Sequence, residues 1–288
     1  MAKSSAAADH HHKVDHEFHL VDPSPWPLLA ALGFLVLAGS AAFNFHGYPY
    51  TLTGMLVGLG LLLYVGYRWW KDCVHEAKAH HTSPVRRGLR YGMAFFIISE
   101  VMFFFAFFFS FFHSTFLPME VLDGAWPVSE GAFPAADQKT VGAWGLPLYN
   151  TLLLLMSGTT VTWAHASLLR GDKKGLVNGL ICTIILGVIF TGVQAYEYAH
   201  IYHELFKFED NNFTANFFMA TGFHGLHVII GTIFLTVCLI RATKDQFDEK
   251  HHLGFEFAAW YWHFVDVVWL FLFTFVYVYT GWGHVVAH

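Results

Sequence analysis

Residues 94–109 read AFFIISEVMFFFAFFF. Glu100 is the only ionisable residue in this phenylalanine-rich stretch. The apolar run around it extends over about 91–115, and a helix crossing a bilayer needs about 20 mostly apolar residues. Composition points the same way: 55% of the chain is hydrophobic and 13% charged, against roughly a quarter charged in a soluble domain. Working outward, six further runs of this kind appear at 26–46, 51–70, 148–169, 176–200, 215–240 and 256–281. The pattern predicts an all-α polytopic membrane protein with seven transmembrane helices. The first 25 residues are polar and His-rich, lack an apolar run and read as a surface arm, not a cleavable signal.

The basic residues set the orientation. Seven spans place the termini on opposite sides. With the N-terminus inside, the inner segments hold 14 of the 16 Lys and Arg residues, and the outer loops only Lys139 and Lys207. This is the positive-inside bias, so the N-terminus is expected inside and the C-terminus outside. The net charge of −5 belongs mainly to acidic outer loops and is no sign of nucleic-acid binding.

Along the chain, 26–70 should form a helical hairpin through HGYPY (46–50), with Gly54-x-x-x-Gly58 allowing close approach of two helices. Residues 71–90 form a charged inner-side linker, and 91–288 hold the remaining five helices. The one long loop, about 116–147, is rich in Pro, Gly and Trp. Cys73, Cys182 and Cys238 are scattered and read as packing residues. No thiolate metal site or phosphate-binding loop is present in the sequence.

At 1.5 Å per residue, Glu100 lies about 15 Å along its helix from Arg90, near mid-membrane. A charge there costs about 2.5 to 10 kcal/mol or more. The carboxyl therefore either carries a proton or faces a polar partner inside the bundle. It is a proton-handling or ligand-contacting group, or simply an acid bonded to the next helix; the residues leave both open. Glu197-x-x-His200 has the spacing of a di-metal carboxylate site, yet the matching Glu249-x-x-His252 falls across the membrane, so no metal site is expected. His224 and His227, three apart in TGFHGLHVIIG, raise haem ligation. His263 and Asp266 at similar depth favour instead a structural polar layer of His224, His263 and Asp266.

The inner rim, 67–92 and 241–256, mixes Trp, Arg, Lys, Glu and His at the level of lipid headgroups. Four blocks then carry a specific likeness: GLRYGMAFFIISEVMFFFAFFFSFFHS (88–114), TWAHASLLRGDKKG (162–175), TGFHGLHVIIGT (221–232) and HHLGFEFAAWYWHFVDVVWLFLF (251–273). Over about 60–275 the chain resembles cytochrome c oxidase subunit III of the mitochondrial and α-proteobacterial type.

The resemblance implies a two-helix pair and a five-helix bundle separated by a lipid-holding cleft. It also implies a subunit with no cofactor of its own, haem a and copper lying in partner subunits of the oxidase complex. Glu100 matches the family's carbodiimide-reactive carboxylate. Trp70, Glu76, His81, His227, Arg241 and His251 match its lipid-headgroup residues, with His75 standing where mitochondrial relatives carry Arg. The expected role is an accessory subunit packed on the catalytic subunit, binding structural phospholipids and supporting proton uptake. The His- and Ala-rich arm suggests a bacterial inner membrane. The equivalent subunit of a quinol oxidase is the first alternative. A proton-coupled transporter using Glu100 and Asp266 is the second, although no inverted repeat or broken helix supports it.

Overall fold

A computed structural model describes residues 23–116, 140–210, 212–281 and 286–287. Most of the arm and of the long loop lie outside the described residues. Seven helices are long and apolar enough to cross a membrane: α1 Trp26–Phe45, α2 Thr51–His80, α3 Ser83–Phe116, α4 Leu146–Leu169, α5 Lys173–Glu204, α6 Asn212–Thr243 and α7 Leu253–Leu272. The last continues as a π-helical segment, Phe273–Tyr279. Two-residue strands Thr140–Val141 (β1) and Val286–Ala287 (β2) pair in parallel.

Each expected span is helical; α1 ends at Phe45, while α2 to α6 run past their apolar runs at one or both ends. The charged inner-side segment 71–90 is largely helical. α2 continues through its first ten residues, and only His81 and Thr82 separate α2 from α3. Charged residues end the lipid-compatible stretch, but they do not interrupt backbone hydrogen bonding. At 30 and 34 residues, α2 and α3 are about 45 and 51 Å long, well beyond a hydrocarbon core of about 30 Å.

The chain divides into two compact units, Met1–Tyr91 and Gly92–His288. In the first, α1 and α2 pair antiparallel. A Cβ placed on Gly58 would come within 2.6 Å of the Leu37 backbone nitrogen, and one on Gly54 would strike Ser40 Oγ. The two glycines therefore do bring the helices together. Trp26 Nε1 donates to Asp72 Oδ2 at 2.7 Å, and Arg68 lies over the same indole.

The second unit holds α4–α7 and most of α3. Its core is centred on α7, whose Trp262 and Trp269 are buried. α4 and α5 cross closely, with Gly179 set against Ala164 so that a Cβ would come within 2.7 Å. Gly171, at φ +72°, turns the chain between them, and Asp172 caps α5 by accepting from the Gly175 amide at 3.0 Å. Lys173 and Asp245 form an ion pair joining the start of α5 to the α6–α7 connection. α3 meets the bundle through aromatic rings, among them Phe103–Phe223 and Phe112–Phe275, both with centroids 5.0 Å apart.

Candidate functional site: a buried carboxyl–imidazole pair

Glu100 lies on α3 and His227 on α6. Nε2 of His227 stands 2.8 Å from Oε2 of Glu100. The other ring nitrogen, Nδ1, lies 2.6 Å from the backbone carbonyl oxygen of Phe223, one helical turn earlier. A carbonyl oxygen can only accept, so Nδ1 must carry hydrogen. One further proton then lies between Nε2 and the carboxyl. The pair is a neutral imidazole with a carboxylic acid, or an imidazolium with a carboxylate. Both forms have zero net charge, which is what an apolar surround tolerates.

That surround is aromatic. Phe104 meets the His227 ring edge-on at 4.9 Å, Tyr261 stacks on it at 6.3 Å, and Phe103 and Phe264 complete the box. The Glu100 side chain retains 23% exposure and that of His227 9%. The carboxyl is thus only partly enclosed.

The expected polar layer is not a single layer. His224 is fully buried and donates from Nε2 to the Val265 carbonyl at 3.2 Å, its ring packed on Trp269 and Phe190. His263 and Asp266 turn toward α4 instead. His263 Nε2 lies 3.2 Å from Thr162 Oγ1, and its Nδ1 lies 3.6 Å from Asp266 Oδ2, beyond hydrogen-bond length. Gly158 makes room for Asp266: a Cβ there would collide with its carboxyl oxygen. The division follows from α7 geometry: His263 and Val265 are two residues apart and so point to nearly opposite sides of the helix.

The residues matched to lipid headgroups are dispersed in their contacts. In the first unit, Trp70 is exposed on α2, and Glu76 and His81 are half-buried. In the second, Arg241 donates from Nε to Gln246 Oε1 at 3.2 Å and lies over the Phe247 ring at 4.4 Å. His251 is exposed and bonds Asp248 at 3.0 Å. That contact and the Lys250 and His251 amides draw the Asp248 carboxyl below its ordinary range, the His251 bond contributing most. His227, grouped with these residues by sequence, is held by Glu100 and Phe223.

Sequence reasoning missed the polar side chains of α4. Trp262 Nε1 donates to Ser157 Oγ at 2.8 Å, and Trp269 Nε1 to Thr151 Oγ1 at 2.9 Å. Thr151, Leu154, Ser157, Gly158, Val161, Ala164 and Leu168 are all buried on this helix. Their 3–4-residue recurrence and small size were the available signal. In the sequence Glu197 stands out as an acid near the outer end of its span and by its spacing to His200. In the fold Glu197 is buried and accepts from Tyr277, while His200 is exposed.

The family model described as cytochrome c oxidase subunit III matches residues 16–283. Among similar proteins, one of Rickettsia felis named probable cytochrome c oxidase subunit 3 is 52% identical over 259 residues, covering 88% of this chain and 92% of the relative. The cytochrome c oxidase subunit 3 of Formosania lacustris is 51% identical over 257 residues, with 88% and 94% covered. That of Triticum aestivum is 48% identical over 260 residues, with 88% and 93% covered.

Proposed function

The chain belongs to the cytochrome c oxidase subunit III family, and on that premise we propose that it is a non-catalytic accessory subunit of a proton-pumping aa3-type oxidase. In this reading electrons pass from cytochrome c to oxygen through haem a and copper in partner subunits. The chain packs on the catalytic subunit in a bacterial inner membrane, N-terminus inside and C-terminus outside. The observation that carries the reading is the family match over 16–283, which takes in all seven spans.

Ligand chemistry supports the absence of a resident haem. Both nitrogens of His227 are engaged by protein groups, and Nε2 of His224 is directed at a backbone carbonyl. His227 therefore offers no free imidazole nitrogen for axial ligation, and His224 has its Nε2 engaged and only Nδ1 unpaired. Phospholipid is held through Trp70, Glu76 and His81 on the first unit and, separately, through Arg241 and His251 on the second. Aromatic and cationic groups at the interface suit such headgroups. The Glu100–His227 pair supports proton uptake in this proposal as a proton-bearing group that is only partly enclosed.

The test is purification of this chain from its native membrane in mild detergent, with a reduced visible spectrum and identification of co-purifying proteins. The expected result is haem a bands with a larger His-rich subunit, both lost when the chain is stripped away. A lone chain that keeps its own colour overturns the reading. Turnover with quinol but not with cytochrome c reassigns the complex to the quinol oxidases.

A further inference from the structure

A second group of buried polar side chains lies where α4, α5 and the π-helical segment meet. Asn150 and Tyr277 are fully buried, and Gln194 and Glu197 are 6% and 2% exposed. Asn150 Nδ2 donates to Gln194 Oε1 at 3.2 Å, and the Tyr277 hydroxyl donates to Glu197 Oε1 at 3.0 Å. Gln194 stands beside the same hydroxyl. The two bonds therefore belong to one cluster. Gln194 and Glu197 are three residues apart and project from one face of α5.

Three atoms of this cluster are buried and have no protein partner: Asn150 Oδ1, Gln194 Nε2 and Glu197 Oε2. Leaving each of them unbonded would carry the full desolvation penalty of a buried polar group, so the set identifies its ligand. It presents two acceptor oxygens and one N–H donor. Water matches, giving two hydrogens to the oxygens and a lone pair to the amide, the three bonds a buried water commonly makes. It matches equally if Glu197 carries a proton on Oε2, by accepting there as well. A metal cation fits less well, because the amide N–H would face it where oxygen ligands are needed. An apolar ligand would leave all three atoms unbonded.

We propose that Asn150, Gln194 and Glu197 enclose a binding site for a single water molecule. That water ties α4 to α5 beside the Tyr277 hydroxyl. The π-helical turn contributes by shifting the phase of the last helix, so that Tyr277 meets Glu197. The site is separate from the Glu100–His227 pair and stands whether or not the oxidase reading holds.

A density map of the intact native complex, at a resolution where other ordered waters are visible, tests the inference. The expected result is one peak within about 2.7–3.2 Å of all three atoms. No peak, or a peak touching fewer than three of them, overturns it. So does an all-oxygen shell at cation distances with the Gln194 amide reversed. In a second map, Glu197→Gln should keep the peak and Glu197→Met should lose it. Persistence in Glu197→Met also overturns the three-sided site.

Discussion

Glu100 and His227, 127 residues apart in the chain, face each other at 2.8 Å, with the far side of the imidazole already donated to the Phe223 carbonyl. Only one proton is left to place between them. The pair can move that proton from carboxyl to imidazole without changing its net charge. That internal transfer is cheaper than exposing a lone carboxylate to the surrounding phenylalanines.

Removing the imidazole should fix the carboxyl in its protonated form. In His227→Phe, the infrared spectrum should show the carbonyl band of a carboxylic acid without an imidazole partner, with Glu100→Gln as the blank. In the parent protein the band should be weaker and displaced by the strong bond to Nε2. Identical bands in the parent and His227→Phe would mean that the two residues do not share a proton.

Trp262 seats its ring against two glycines, Gly187 and Gly231, where an added Cβ would come within 2.8 Å of it. A large buried ring cannot yield cheaply. Gly231→Ala should therefore lower stability by about 1–3 kcal/mol, as overpacking does. Gly192→Ala on α5, where a Cβ meets nothing within 4 Å, should not lower stability and by helix propensity should raise it by up to about 1 kcal/mol. Thermal or denaturant unfolding of the purified complex compares the two, and equal losses would contradict the packing described.

The bond from Trp262 to Ser157 is measurable by itself. A double-mutant cycle of Trp262→Phe and Ser157→Ala should give a coupling of about 0.6–1.7 kcal/mol, the range found for side-chain bonds between membrane helices. Zero coupling would leave the indole with packing alone.

The α6–α7 connection should respond to acid. Asp248 has its pKa lowered in the fold by the His251 side chain and by backbone amides. A lowered carboxyl pKa adds stability above the unfolded-state value, and that stability is lost as pH falls through the folded value. Hydrogen exchange at the Lys250 and His251 amides, which donate to Asp248 at 2.8 and 2.7 Å, should lose protection, relative to intrinsic rates, over that acid range. Asp248→Asn should abolish the pH dependence. The effect should be small because the carboxyl is largely exposed.

Within the first unit, Gly58→Ala would press a methyl group against the Leu37 backbone, whereas Gly60→Ala enters open space. The first should separate α1 from α2 and the second should not. Disulfide cross-linking between cysteines introduced along the two helices reads the difference. Equal cross-linking in both variants would show that the helices do not depend on this approach.

The sequence by itself determined what is local. Whether a run of residues can cross a membrane depends on its length and apolarity, and all seven spans were legible on those grounds. Gly54 and Gly58 were legible too, since helix proximity limits side-chain size directly. The ends of α2 and α3 were not, because hydropathy changes at the lipid boundary while helical hydrogen bonding continues through charged residues. The pairings were decided only by the tertiary structure. A helix in lipid is apolar on its outer face as well as its inner one, so periodicity does not mark which side is buried. Glu100 called for either a proton or a polar partner, and nothing local pointed to His227. Asn150, Gln194, Glu197 and Tyr277 come from three distant stretches and became a cluster only when α4, α5 and the last helix packed together.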